Sequence, residues 1–105
     1  MVLKRFMRGG ADIPERTATQ VAEDMRQRAM QVVDVREDDE WREGHIDGAT
    51  HIPLGSLAAR VAELDREQPV VTVCRSGNRS MVAAQTLTQA GFRDVGNRSG
   101  HPLTR

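Results

Sequence analysis

Apolar residues fall into short blocks separated by polar turns, and the blocks follow two different periods. Gln31-Val32-Val33-Asp34-Val35 and Val70-Val71-Thr72-Val73 are compact runs rich in β-branched residues, the pattern of strands buried on both faces. Outside those runs the spacing is helical. Thr17-Ala18-Thr19-Gln20 fits a capping box, with Thr17 as N-cap and Gln20 at N3. Val21, Ala22, Met25 and Ala29 then predict a helix running to about Arg28. Ser56 suits the N-cap of a second helix, whose apolar face carries Leu57, Val61 and Leu64. A third helix reads from Met81 to Ala90, with Ala83, Leu87 and Ala90 inward, Gly91 at C′ and Phe92 making the accompanying hydrophobic contact.

Shorter features fill the gaps. Asp12-Ile13 and His51-Ile52 read as very short strands, Asp47-Gly48 as a turn, and Asp94-Val95 as the start of a last strand. The acidic cluster from Arg36 to Glu43 reads as a solvated helical turn anchored to the core by Trp41. Met25 and Leu57 read as core residues. The resulting alternation of helix and strand, with short connections, predicts a small α/β domain whose central sheet is mostly parallel, with helices on both faces. It spans residues 17–96, between an N-terminal extension over 1–16 and an irregular tail over 97–105.

Composition narrows the class. A chain of 105 residues with 38% hydrophobic and 29% charged residues is that of one globular domain. Zero formal net charge argues against a nucleic-acid partner, since no basic surplus exists to neutralise phosphates. No apolar run is long enough to cross a bilayer. Met1 to Met7 lacks the apolar core of a secretory signal, so the expected location is the cytoplasm. One cysteine excludes an internal disulfide and a multi-cysteine zinc site. Any thiol exchange must take its second sulfur from another molecule.

That cysteine, Cys74, ends the apolar strand and opens the loop Arg75-Ser76-Gly77-Asn78-Arg79-Ser80, which runs into the third helix. A sulfur between a strand end and a helix N-terminus lies where backbone N–H groups and the helix dipole converge, which favours the thiolate. Arg75 and Arg79 add positive charge. Arg75 suits contact with an anion from solvent; Arg79, in the first helical turn, suits either that or pairing with a carboxylate. Sites in parallel sheets lie beyond the carboxyl ends of the strands, which is where Cys74 stands. Asp34 and Arg36, at the end of the neighbouring strand, read as a structural tie between loops, because a buried Asp needs a partner. His45, His51 and His101 lack metal-ligand spacing, and Ser76 and Ser80 have no His–Asp constellation near them.

Together these segments resemble the rhodanese-like sulfurtransferases over about residues 17–96. The resemblance rests on Asp34-Val35-Arg36 with Glu40-Trp41, Gly44-His45-Ile46-Asp47-Gly48-Ala49 leading to His51-Ile52-Pro53, the loop from Cys74 to Ser80, and Gly91-Phe92. It implies that Cys74 carries sulfur as a persulfide, taken from a small anionic donor such as thiosulfate and passed to cyanide, a thiol or a protein acceptor. The loop from Arg75 to Ser80 would bind the donor, and no metal or organic cofactor is implied. The six-residue loop from Cys74 to Arg79 is the size found in the sulfur-handling branch; the similar phosphatases and arsenate reductases carry one residue more. The same resemblance allows a non-catalytic binding or sulfur-relay module. Ser99-Gly100-His101-Pro102-Leu103-Thr104-Arg105 departs from the family pattern: the closing C-terminal helix is expected to be missing, leaving apolar surface uncovered.

Overall fold

A computed structural model describes residues 13–27 and 30–99. Four strands form one sheet, β1 (Gln31–Asp34), β2 (Thr50–His51), β3 (Val70–Cys74) and β4 (Val95–Ser99), in the order β2-β1-β3-β4. Every pairing between them is parallel. Helix α1 (Ala18–Gln27) precedes β1; parallel neighbours need crossovers, and α2 (Asp38–Glu43), α3 (Leu54–Arg60) and α4 (Asn78–Gln89) supply them.

The sheet is covered on both faces, as expected. Side chains alternate along each strand. Val32, Val71 and Val73 face Val21 of α1. Val33, Val35, Val70 and Cys74 face the other way, against Leu57 of α3, Ala83 and Leu87 of α4, and Phe92. The Cys74 side chain therefore points beneath α4, on the same face as Thr72.

Several local expectations hold in detail. Thr17 and Gln20 exchange side-chain-to-backbone hydrogen bonds at 3.0 and 2.9 Å. Gly91 takes φ +100°, and the Phe92 N–H donates to the Leu87 carbonyl at 3.1 Å, the closing bond of a Schellman motif. Gly48 turns the chain at φ +89°.

Others shift. α3 starts at Leu54 and not after Ser56, because the chain stays zipped to β1 until then: Ile52 and Leu54 donate to the carbonyls of Asp34 and Val35. Pro53 then sets the entry at φ −55°. α4 begins at Asn78, so Arg79 and Ser80 belong to its first turn. The edge pairing lies at Glu15, bridged to Asn97, rather than before Pro14; Asp12 is outside the described residues. β4 extends to Ser99, through residues expected to begin the irregular tail, because Asn97 donates to the Pro14 carbonyl and accepts from Arg16. Met25 is only partly buried and lines an open apolar hollow of about 470 Å³ with Val21, Ala22 and Ile46. The expected absence of a closing helix concerns residues 100–105, which lie outside the described residues, as do Arg28, Ala29 and His101. Among the described residues no helix is long and apolar enough to cross a membrane.

Candidate active site

The end of β3 hands the chain to the head of α4 through a three-residue loop, and the handover is tied at several points. The Thr72 hydroxyl donates to the Ser80 carbonyl at 2.7 Å, which fixes the first turn of α4 against the strand it follows. Gly77, at φ +93°, is the N-cap of α4; an L side chain there would clash with its own backbone. This turn folds the loop back over the sulfur. The backbone N–H groups of Gly77 and Ser80 both donate to Cys74 Sγ at 3.1 Å.

Cys74 is fully buried. Burial pushes its thiol up, but hydrogen bonds from the Ser80 hydroxyl and from the backbone N–H groups of Ser80, Gly77 and Arg79 outweigh that cost, and its pKa lies below the ordinary thiol value. The physical reason is that each N–H dipole points its positive end at the sulfur, which rewards the charged form. A buried apolar cysteine lacks such donors and stays protonated.

The six loop residues take different places. Arg75, Ser76 and Asn78 are exposed, Gly77 and Arg79 are half-buried, and Ser80 is buried. Ser80 contributes from inside, through its backbone N–H and its hydroxyl, whose oxygen also lies 3.3 Å from the Gly77 carbonyl. Arg79 turns away to Glu40 of α2, giving Nη1 and Nη2 to the two carboxylate oxygens at 2.7 and 3.0 Å. That fork holds the Glu40 carboxyl down at about 2, helped by the Glu37 N–H, and raises the Arg79 guanidinium.

Glu40 is the residue that the acidic cluster concealed. In sequence it is one of five carboxylates between Glu37 and Glu43, and nothing in that run marks which one turns inward. Its place one turn before Gly44 on a short helix, opposite an arginine at a helix head, was the available signal.

Asp34 and Arg36 meet at the end of β1. Arg36 Nε donates to Asp34 Oδ1 at 2.9 Å and Nη2 to Oδ2 at 2.8 Å. Nη2 also donates to the Gly44 carbonyl at 2.7 Å, tying β1 to the loop after α2. Both side chains are fully buried. Trp41 does not enter the core as expected. Its ring stacks on His45, centroids 3.5 Å apart, and on His51 at 4.7 Å, so the two histidines pack the loops that flank α2. Among the described residues no three His, Cys, Asp or Glu side chains gather as a metal site.

The comparisons with known proteins agree on one family. Residues 17–101 match the Rhodanese-like domain family, and the chain belongs to it. "Thiosulfate sulfurtransferase GlpE" of Pseudomonas aeruginosa is 40% identical over 85 residues, which cover 81% of this chain and 77% of that one. "Putative sulfur carrier protein YrkF" of Bacillus subtilis is 33% identical over 105 residues, 91% of this chain; the chain spans 57% of YrkF. A rhodanese-related protein of Thermoplasma volcanium superposes with a TM-score of 0.73 at 30% identity, covering 84% of this chain and 85% of that one.

Proposed function

We propose that the protein is a sulfurtransferase that carries a sulfane sulfur on Cys74. The observation that carries this reading is the cradle itself: two backbone N–H groups at 3.1 Å from Sγ, at the head of α4. We take thiosulfate as the donor, by analogy with the relative named thiosulfate sulfurtransferase. The Cys74 thiolate attacks its outer sulfur, the S–S bond to the sulfonate breaks, and sulfite leaves with the bonding pair. Cys74 is then a persulfide anion. An acceptor nucleophile, cyanide or a thiolate, attacks the terminal sulfur and regenerates the Cys74 thiolate. No net oxidation occurs and no cofactor takes part. The same N–H groups that favour the thiolate favour the persulfide anion, so the covalent intermediate rests in the cradle made for the free sulfur.

Arg75, with the exposed side chains of Ser76 and Asn78, surrounds the mouth through which the donor's sulfonate approaches. The sulfur is buried at rest, so loading requires the loop from Arg75 to Gly77 to part. The cytoplasm suits this chemistry, because a reducing compartment keeps the lone thiol unpaired between turnovers.

The burial of Cys74 also favours a second reading, a sulfur-relay module loaded by a partner protein and idle toward thiosulfate. Steady-state thiocyanate formation from thiosulfate and cyanide separates the two. The enzyme reading expects turnover with parallel double-reciprocal lines, the mark of two half-reactions, lost in Cys74→Ser. Turnover that survives Cys74→Ser rejects both readings; folded protein with no turnover leaves the relay.

A further inference from the structure

The cradle carries two arginines that are not electrically equivalent. Arg75 is exposed at the rim, and its side chain makes no ion pair or hydrogen bond among the described residues. Arg79 is forked onto Glu40 at 2.7 and 3.0 Å, with 29% and 22% of the two side chains exposed. Glu40 is itself held, since its Oε1 accepts the Glu37 backbone N–H at 2.9 Å. The pair is thus pinned by α2 on one side and by the first turn of α4 on the other. A planar, two-point arginine–carboxylate contact of this kind fixes orientation as well as charge.

A charged Cys74 favours the charged form of Arg79, and by reciprocity the guanidinium favours the thiolate. The other charged groups that face the pair are Glu37, which acts on Arg79, and Arg36, which acts on Glu40. Arg36 is already matched by Asp34 at 2.8 Å. Seen from the sulfur, the charges of Arg79 and Glu40 therefore oppose each other.

We propose that Glu40 sets the charge of the cysteine cradle: it holds Arg79 in place and neutralises it, leaving Arg75 as the cation that meets the donor. Arg79 is then a positioning residue of the helix head and not a donor-binding one. The assignment rests on the sulfur-transfer reading for the identity of the donor, but not for the charge at Cys74. Its consequence runs against the usual expectation for an ion pair beside a reactive group. Removing the carboxylate charge should make the cysteine more acidic and the site more attractive to a dianion, because Arg79 is then unmatched.

The test is the pH dependence of Cys74 alkylation by iodoacetamide, a neutral probe, in Glu40→Gln, Arg79→Gln and the double variant. Glu40→Gln should lower the midpoint by about half a pH unit. Arg79→Gln should raise it by a similar amount, since Glu40 is then unmatched. The double variant should return to within about 0.2 unit of the wild type, a rescue that a merely structural contact does not produce. The Michaelis constant for thiosulfate should fall roughly threefold in Glu40→Gln. Single variants that shift the midpoint the same way, or a double variant that behaves like Arg79→Gln alone, would overturn the proposal. If far-UV circular dichroism shows one single variant unfolded, the other single and the double decide in the same way. Alkylation is read without a sulfur donor, so midpoints that shift as expected in a protein that transfers no sulfur would discard the proposed reaction and leave the charge assignment standing.

Discussion

Cys74 has its pKa lowered even though it is buried, and the sign of that balance sets its chemistry. Burial alone disfavours a thiolate; the donors from Ser80, Gly77 and Arg79 reverse it. Gly77 takes the left-handed conformation, at φ +93° and ψ −19°, which glycine adopts freely and L residues do not. Gly77→Ala places an L side chain in the left-handed region, at a cost of about 1–2 kcal/mol. Part of that cost is relieved if the backbone turns its N–H away from Sγ. The expected outcome is a lower urea midpoint together with a higher midpoint pH for alkylation, because a thiolate-favouring donor is lost. Gly77→Ala with wild-type alkylation would show that this N–H does not tune the sulfur. Glu40 obeys the opposite logic in folding. Its carboxyl lies at about 2 in the folded chain, below the roughly 4.3 of a free glutamate. Its contribution to stability is therefore complete above the free value and is lost as pH falls toward 2.

At the scale of elements, the joint between β1 and α2 decides whether the site holds its shape. Arg36 is buried with three donors committed to Asp34 and one to the Gly44 carbonyl. Asp34→Ala strands a cation inside the protein and should cost about 3–5 kcal/mol, read as a fall in the denaturant midpoint at unchanged slope. A cost below about 1 kcal/mol would mean that the pair is solvated in solution.

The elements also mark what a sequence carries and what it hides. Both strands of the sheet centre are legible as β-branched runs, and the end of α4 is legible from Gly91 and Phe92, because these signals are local. The start of α3 is misplaced at Ser56 because the bonds that decide it come from β1. Trp41 reads as a core anchor by size, yet two histidines supply flat partners for its ring outside the core. The cysteine loop is legible as a cradle; the pairing of Arg79 with Glu40 is not, since it depends on which carboxylate of a charged run lies 39 positions away in sequence and 2.7 Å away in space.

At the scale of the molecule, the parallel order β2-β1-β3-β4 brings the ends of β1 and β3 side by side, with Asp34 in register with Val73. The Asp34–Arg36 pair and the Cys74 sulfur thus share one end of the sheet, with α2 beside them and α4 above. On the proposed reading, a fold of this size presents one sulfur within a ring of backbone N–H donors and takes the second sulfur from another molecule.

The most direct measurement is the intact mass of the protein after incubation with thiosulfate, compared with Cys74→Ser and followed by addition of cyanide. The account predicts a gain of one sulfur atom in the wild type, none in the variant, and loss of the added sulfur as thiocyanate. Folded wild-type protein whose mass does not change, or a sulfur adduct retained in Cys74→Ser, would contradict it.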